Sequence, residues 1–315
     1  MVGYDKDYVL AKCQQYRNWG TWGDDDELGS GNYVTKEKVA AAAALVRKGK
    51  VFSLALPLDS QGPMTGKGVR VNPQHFMLWD GGDIISGAQD LLPARWTDDA
   101  VYMCLQSSTQ WDAFAHVFFE GTMYNGYGPE HISSRGAGKN SITNMRDRAV
   151  GRGVLLDVAR SKGKRWLDRG EPISADDLEV CAGRQGVEVG EGDFVLVRTG
   201  QLLERQEAGS WGDYAGGSAP GLAISAADFL CPRHVAAVAT DTWGAEVLPN
   251  ETKDVFQPLH QIIVVNAGIY IGEMWDMEAL AADCEEDGVY QFMLVAPPLT
   301  ITGSVGSPVN PQAIK

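Results

Sequence analysis

The chain of 315 residues has 44% hydrophobic side chains and a formal net charge of −14. It is long enough to bury a large core, and its acidity gives it no electrostatic reason to bind nucleic acid or an anionic membrane. Met1–Gln15 carries charges and lacks the apolar segment of a signal peptide, and no apolar run is long enough to span a bilayer. The five cysteines are scattered, without a CxxC pair, which is typical of reduced thiols. We therefore expect a cytoplasmic protein.

The first 50 residues predict an N-terminal arm followed by a helix. Residues 16–34 mix tryptophan, glycine and acids and indicate a loop, whose acidic run lacks the ligand spacing of an EF-hand calcium site. Thr35 is expected to cap a helix over residues 36–48, which ends at Gly49. A strand should follow over residues 51–58.

Residues 60–98 are rich in proline, glycine and aspartate and show little periodicity. A long irregular insert in a compact domain is usually functional or mobile. We expect a lid, a dimer arm or a mobile loop here, followed by a strand over residues 100–105.

The most unusual stretch is residues 106–116, Gln-Ser-Ser-Thr-Gln-Trp-Asp-Ala-Phe-Ala-His. Asp112 and His116 are four residues apart and would share one face of a helix. This pair suits two ligands of one metal ion, or a carboxylate that orients a base. For such a pair taken alone, two polar residues that merely lie on a helix surface are the more ordinary explanation.

Strands and helices alternate from Gly151 onward, which indicates a mixed α/β class. We see no internal repeat or linker, and expect one catalytic domain over residues 51–315 behind the arm and helix of residues 1–50. Helices should begin after Ser174, Ser225 and Asp276. Strands are predicted over residues 153–159, 193–199, 234–240, 262–266, 269–273 and 291–297.

Few histidines are available for chemistry. His116 and His260, with Asp112 and Glu273, are a plausible nitrogen and oxygen ligand set for Zn or Mn, although their spacing alone has no metal-site signature. A serine triad lacks its G-x-S-x-G elbow. The Gly-Arg-Gly of residues 151–153 precedes a strand instead of following one, so we expect no bound nucleotide.

The same stretch resembles the H-x-G-T-H-x-D-x-x-x-H motif of the cyclase family, which includes bacterial kynurenine formamidase and isatin hydrolase. Thr109, Asp112 and His116 match, whereas Gln106 and Gln110 stand in place of the first two histidines and Ser108 in place of the glycine. Further similarities extend over most of the chain. They are the Trp-Gly and Asp-Glu-Leu-Gly of the N-terminal extension, residues 192–200, the Asp241-Thr242 pair, His260 and Glu273.

The resemblance implies a swivelling β/β/α fold, a mixed sheet with flanking helices, and a homodimer or tetramer. It also implies metal-dependent hydrolysis of amide-type C–N bonds in a small-molecule carbonyl substrate. His116 would be the general acid/base, and Asp112, His260 and Glu273 the metal ligands.

Glutamine is a weaker ligand than imidazole for a borderline metal, so the two replacements leave three hypotheses. A single Mn, Zn or Mg ion is held by Asp112, His260 and Glu273 with help from Gln110, in a hydrolase of amide, lactam or lactone-type carbonyls. A metal-free lyase, isomerase or cyclase uses Asp112 and His116. A non-catalytic protein only binds its ligand. The residues expected to contact the substrate are Gln106, Thr109, Trp111, Phe114 and Tyr124.

Overall fold

This computed structural model describes residues 3–64 and 68–315. The α-helices are α1 (Lys6–Tyr16), α2 (Lys36–Ala43), α3 (Gly81–Ile85), α4 (Val158–Ser161), α5 (Ala175–Gln185), α6 (Gln201–Ala208), α7 (Ala227–Leu230), α8 (Pro258–His260) and α9 (Glu278–Asp287). The strands are β1 (Val51–Ser53), β2 (Gln74–Trp79), β3 (Asp98–Tyr102), β4 (Gln110–Asp112), β5 (Ile132–Ser133), β6 (Gly136–Ala137), β7 (Val150–Asp157), β8 (Pro172–Ile173), β9 (Phe194–Arg198), β10 (Gly221–Leu222), β11 (Ala237–Thr240), β12 (Tyr270–Glu273), β13 (Gln291–Val295), β14 (Gly306–Pro308) and β15 (Gln312–Ile314).

A mixed sheet organises the described part of the chain, with nine strands in the order β1-β15-β13-β7-β9-β11-β12-β4-β14. Its centre, β7-β9-β11-β12, is parallel, and the strands on either side pair antiparallel. Every residue of β9 and β11 is buried, because helices and loops cover both faces of the parallel centre. The architecture confirms the predicted mixed α/β fold with flanking helices.

The N-terminal residues share the main core. Val9 and Cys13 of α1 and Val34 before α2 are buried in the same apolar cluster as the central strands. The acidic run at residues 24–27 is a turn anchored by Asp26, which accepts hydrogen bonds from the backbone N–H groups of Leu28 and Gly29. The division of the chain at residue 50 stays a prediction.

The insert at residues 60–98 is more regular than its sequence indicates. Strands β2 and β3 form an antiparallel hairpin that encloses α3, whereas residues 65–67 of the insert lie outside the described residues. All of β3 and most of β2 are exposed on both faces, which removes the alternation that normally marks a strand. Its use as a lid or dimer arm, and the homo-oligomer itself, stay predictions that analytical ultracentrifugation would test.

Some predicted elements are wrong. Residues 262–266 form a π-helical turn over Gln261–Asn266 instead of a strand, because a short, fully buried apolar run does not distinguish the two structures. The predicted strand at residues 51–58 is confined to β1, and β14 and β15 were not expected at all. Helix α2 ends at Ala43, although Thr35 caps it as expected.

A buried charged group, which we call the Arg198 cluster, ties three strands to α9. The Arg198 guanidinium donates to Asp157 at 2.9 Å and to Glu278 at 2.7 and 2.8 Å. The Asp241 carboxylate accepts the backbone N–H groups of Thr199 at 2.8 Å and Gly200 at 2.6 Å. Gly200 has a φ of +78°, and a Cβ there would lie 2.5 Å from a backbone oxygen, so glycine is required at this turn. The polar residues after β9 and β11 are therefore largely structural.

Within the described residues, every helix is too short or too polar to cross a bilayer.

Candidate metal and catalytic site

The antiparallel pairing of β4 with β12 brings the first polar residues of the site together. In this register Gln110 lies opposite Glu273, and Asp112 lies opposite Ile271. Because side chains alternate along a strand, Gln110 and Asp112 share one face and Trp111 occupies the other. The Gln110 amide Nε2 donates to Glu273 Oε2 at 2.7 Å. A strand, and not the helix considered from the sequence, therefore places this part of the motif.

Three side chains converge at this point. Ligand atoms of Asp112, His260 and Glu273 all lie within 4.8 Å of one another, and each residue is at most 3% exposed. His260 is the last residue of α8, which follows Gln257 in a left-handed backbone conformation. Two carboxylates and one imidazole are donors that suit a divalent Mn or Zn ion. The sequence-based ligand set is thus brought together from three distant segments.

Glu246 orients the His260 ring. Its Oε1 accepts the His260 backbone N–H at 2.7 Å and lies 2.6 Å from Nδ1. Nδ1 therefore carries the proton and Nε2 faces Glu273, whose Oε1 is 3.5 Å away. A carboxylate behind a histidine fixes the tautomer that a metal needs.

The pKa values of this group reflect its crowding. Burial by itself would lower the pKa of His260, but hydrogen bonds and charge from Glu246 and Glu273 outweigh it and raise the pKa to about 10. Burial and the charge of Asp112 raise the pKa of Glu273 to about 7, against the opposing effect of His260 and Arg70. Without another cation, the neighbouring Glu246 and Glu273 therefore favour the protonated form of His260.

Unsatisfied acceptors support a cation at this point. Asp112 Oδ1 and Gln110 Oε1 are buried and have no hydrogen-bond donor among the described residues. Buried acceptors without a partner are rare and destabilising. A divalent ion beside Asp112, His260 and Glu273 would satisfy such oxygens, so the residues present fit a metal. We call Gln110, Asp112, Glu246, His260 and Glu273 the Asp112 cluster.

His116 lies next to the Asp112 cluster at the end of a 3-10 turn. Its Nε2 is 3.9 Å from Asp112 Oδ1, which is too long for a hydrogen bond, and 3.3 Å from Arg70 Nη2. Since arginine has no acceptor, the contact with Arg70 makes Nε2 the acceptor and places the proton on Nδ1. His116 Nε2 thus accepts an N–H from Arg70 at the lining of the pocket.

A small pocket of about 220 Å³ opens onto these groups. Its polar side is formed by Arg70, Asp112, His116, His260 and Glu273. Its remaining lining is mostly apolar or aromatic and comprises Val117, Phe118, Trp243, Phe256 and Gln257. The pocket is smaller than the roughly 300 Å³ at which sites for drug-sized ligands begin, which favours a small ligand.

The residues expected to contact the substrate lie elsewhere. The Trp111 indole is fully buried against Trp275 and donates to the Ala296 carbonyl, and Gly272 across the strand pair leaves room for it. The Phe114 ring stacks on Tyr270. We withdraw the substrate contacts predicted for Trp111 and Phe114, because strand alternation and core packing turn both rings away from the pocket.

Three further expectations need the same correction. The Tyr124 hydroxyl donates to Asp26 at 3.0 Å, and its ring packs on Phe114 in the core. The Thr109 hydroxyl accepts the Leu56 N–H and donates to the Met274 carbonyl, which makes it a structural bridge. Gln106 is buried against Gly306, outside the pocket lining, with its Nε2 lacking a partner among the described residues.

Sequence reasoning missed several residues of the site. Arg70 lies in the insert, where no pattern marks it, and Glu246 lies 14 positions before His260 without a recognisable spacing. Trp243 follows the Asp-Thr pair after β11, and that pair was the only available signal. Phe256 and Gln257 precede α8, and no sequence pattern marked them as pocket residues.

The chain is similar to several known proteins. Residues 25–247 match the family model described as "Putative cyclase". A crystal structure described as a novel cyclase is 38% identical, covers 96% of this chain and 99% of its own, and superimposes with a TM-score of 0.87. No curated protein matches the sequence significantly.

More distant structures share the fold. Isatin hydrolase A from Labrenzia aggregata, bound to benzyl benzoate, is 20% identical, with 86% of this chain and 94% of its own covered and a TM-score of 0.59. A predicted metal-dependent hydrolase from Bacillus stearothermophilus is also 20% identical, with 84% and 97% covered and a TM-score of 0.52.

Proposed function

The chain belongs to the cyclase family, and we propose that it is a metal-assisted hydrolase of a small amide, lactam or lactone-type carbonyl compound. The main support is the convergence of Asp112, His260 and Glu273, with the His116 imidazole beside them. This arrangement joins a cation site to a titratable nitrogen, the two components that water attack on a carbonyl requires. We expect the C–N bond of an amide or cyclic amide to be the bond that breaks.

Asp112, His260 and Glu273 would hold the divalent ion. Two carboxylate charges balance its charge, and one imidazole among the ligands favours Mn or Zn over Mg, which prefers oxygen. When bound, the ion supplies Lewis-acid polarisation of a carbonyl oxygen and increases the acidity of water. Gln110 holds Glu273 through its Nε2, and its unpartnered Oε1 is available as a weaker donor.

His116 would transfer the proton. Once the Arg70 N–H that Nε2 accepts has turned to a ligand, this atom would accept a proton as water attacks and would return the same proton to the departing amine. Asp112 Oδ1, at 3.9 Å, lies close enough to stabilise the imidazolium that forms in between. The aromatic walls at Phe118, Trp243 and Phe256 would limit access of bulk water around a small substrate.

One observation favours a metal-free alternative. Glu246 and Glu273 favour the protonated form of His260 when no metal is present, which would supply a positive charge within the site. A lyase, isomerase or cyclase could use this charge with His116 and Asp112. Whether turnover requires a metal distinguishes the two functions.

Metal content and turnover together test the proposal. We expect purified protein to contain a divalent ion by mass spectrometry, and to hydrolyse a member of a panel of small amides, lactams and lactones. Isatin, named with several of the similar structures, belongs in that panel. Chelation should abolish turnover, and Mn or Zn should restore it. His116→Ala should lower kcat by about 10²–10⁴-fold, because a general acid/base contributes on that scale.

His131→Ala is the matched control, since His131 is half-exposed beside Glu130 and Tyr127, away from the pocket. It should keep both metal and turnover. Turnover that survives chelation but is lost in His116→Ala would establish the metal-free alternative. If no compound reacts while the metal is bound, the hydrolase is contradicted and a binding role remains.

A further inference from the structure

Arg70 is the charged residue of the pocket that the proposed mechanism uses least. Among the described residues that line the pocket, it alone has a permanently cationic side chain. Its Nη1 donates to the Gln106 carbonyl and its Nη2 to His116, both at 3.3 Å. Its guanidinium carbon lies 5.8 Å from the centre of the Trp243 ring. These contacts hold the guanidinium at the pocket beside His116.

This cation has no direct ionic partner. No carboxylate of residues 3–64 and 68–315 lies within the 4.0 Å of an ion pair with Arg70, although Asp112 and Glu273 line the same pocket. Arg70 is also partly shielded from solvent. A partly buried guanidinium gains most from a charged hydrogen-bond acceptor, and both present acceptors are neutral.

The remaining donors match a planar anion. Arginine has five N–H groups in a rigid fork, and the two contacts above leave the others for a ligand. Carboxylates bind such a fork with two parallel hydrogen bonds. The hydrogen bonds to Gln106 and His116, with Trp243 within cation–π range, already position the guanidinium, so less conformational freedom is lost on binding.

An anionic substrate also needs this residue for a second reason. The chain has a net charge of −14, and the pocket contains two carboxylates, so an anion approaches against a repulsive field. A metal held by Asp112, His260 and Glu273 would offset the nearest negative charges but would leave the Arg70 side of the pocket unchanged. Arg70 provides a separate point of attachment next to His116.

We propose that Arg70 determines specificity and that the substrate is a small carbonyl compound carrying a carboxylate, which Arg70 binds while the scissile carbonyl lies at the Asp112 cluster. This inference rests on the proposed hydrolytic function, but it concerns a binding interaction that can be measured without turnover. A role of Arg70 in orienting His116 alone would give no preference for charged over neutral ligands.

Matched pairs of ligands test the inference. Dihydroorotate and dihydrouracil share a ring and differ by one carboxylate, as benzoate and benzamide do. Calorimetry on the metal-loaded protein should show the carboxylate bound about 10- to 100-fold more tightly within a pair, as expected for charged hydrogen bonds. Arg70→Gln should remove this preference, and Arg70→Lys should restore part of it. Arg165→Gln, at an exposed arginine paired with Glu207, should change nothing.

The outcomes separate this inference from the proposed function. Carboxylate preference that depends on Arg70, without hydrolysis of any compound, supports the inference and contradicts the hydrolase. Equal binding of both members of every pair, or no binding of either, overturns the inference. For any substrate that reacts, Arg70→Gln should raise KM for the anion more than it lowers kcat. An equal loss of kcat for charged and neutral substrates, at unchanged KM, would also overturn it.

Discussion

Two buried polar clusters lie at neighbouring strands of one sheet, and they differ in how completely their atoms are paired. In the Arg198 cluster, the Arg198 guanidinium and the carboxylates of Asp157, Asp241 and Glu278 all have hydrogen-bond partners. In the Asp112 cluster, Asp112 Oδ1 and Gln110 Oε1 have none among the described residues. Complete pairing is typical of a structural network, whereas buried acceptors left open indicate a site that awaits a ligand.

Resemblance to the family is equally clear in parts of the chain that line the pocket and in parts that do not. Residues 192–200 and the Asp-Thr pair resemble the family as clearly as the 106–116 stretch does. Arg198 and Asp241 nevertheless bind Asp157 and the turn after β9, and Asp193 accepts the Gly190 N–H. None of these side chains lines the pocket. Similarity alone therefore does not separate structural residues from those that line the pocket, whereas the position of their side chains does.

The largest effect should come from breaking the structural cluster. Arg198→Met removes the cationic partner of Glu278 and one of the two arginines that pair with Asp157, in a site where Arg198 is 3% exposed. Removing one partner of a buried ion pair costs about 3–5 kcal/mol, because an uncompensated charge remains. Urea unfolding should show this loss, while the folded fraction keeps its metal affinity.

Arg165→Met is the control for the loss of an arginine. Its side chain is exposed and pairs with Glu207, so the expected change is at most about 1 kcal/mol. A similar loss of stability in both variants would mean that the Arg198 cluster contributes no more than a surface pair. If fully folded Arg198→Met protein bound metal more weakly than the wild type, the Arg198 cluster would also support metal binding at the Asp112 cluster.

The sequence predicts the Arg198 side of the molecule better than the pocket side. Buried parallel strands appear as uninterrupted apolar runs, such as β9, and Ser174 caps α5 with the expected reciprocal hydrogen bonds. The same signal fails at residues 262–266, because an apolar run without alternation fits a buried helical turn equally well. The resemblance to the cyclase family is what predicted Asp112, His116, His260 and Glu273, which lie in three separate segments of the chain.

The rest of the pocket depends on tertiary contacts that leave no local pattern. Glu246 reaches His260 from a loop, and Arg70 reaches His116 from the insert. Aromatic content was a poor guide to the lining, since Trp111 alternates away from Gln110 and Asp112 along β4. Because residues 110–112 form a strand and not a helix, Gln110 and Asp112 share one face and Trp111 lies on the other.

A smaller effect should appear in how the Arg198 cluster responds to pH. Burial raises the pKa of Asp241 to about 6, despite the opposing effect of the Thr199 N–H and Arg198. Between pH 4 and 6 the folded protein would keep a proton that the unfolded chain, with a pKa near 3.9, has released. Folded stability therefore falls as pH rises through this window, by at most about 3 kcal/mol.

Asp241→Asn removes this titration. The other titratable groups are present in both proteins, so their contributions to the pH dependence of stability cancel. The free energy of unfolding of the wild type minus that of the variant should fall from pH 4 to pH 6 and be level above it. Urea titrations at several pH values would measure this difference. A difference that rises with pH would mean that the two backbone N–H groups outweigh burial.

The smallest effect tests the Asp112 cluster through a residue that does not touch the pocket. Glu246→Gln keeps an oxygen that can accept from His260 Nδ1 but removes the charge that fixes the tautomer. Loss of such a supporting carboxylate typically lowers metal affinity about 10–100-fold. Competition with a chromophoric chelator would measure this without a substrate. Glu251→Gln neutralises a nearby acid that binds the Ile224 N–H instead, and should leave the affinity unchanged. Equal affinities in the wild type and both variants would mean that His260 is not a ligand, and the open acceptors of Asp112 and Gln110 would then need a different partner.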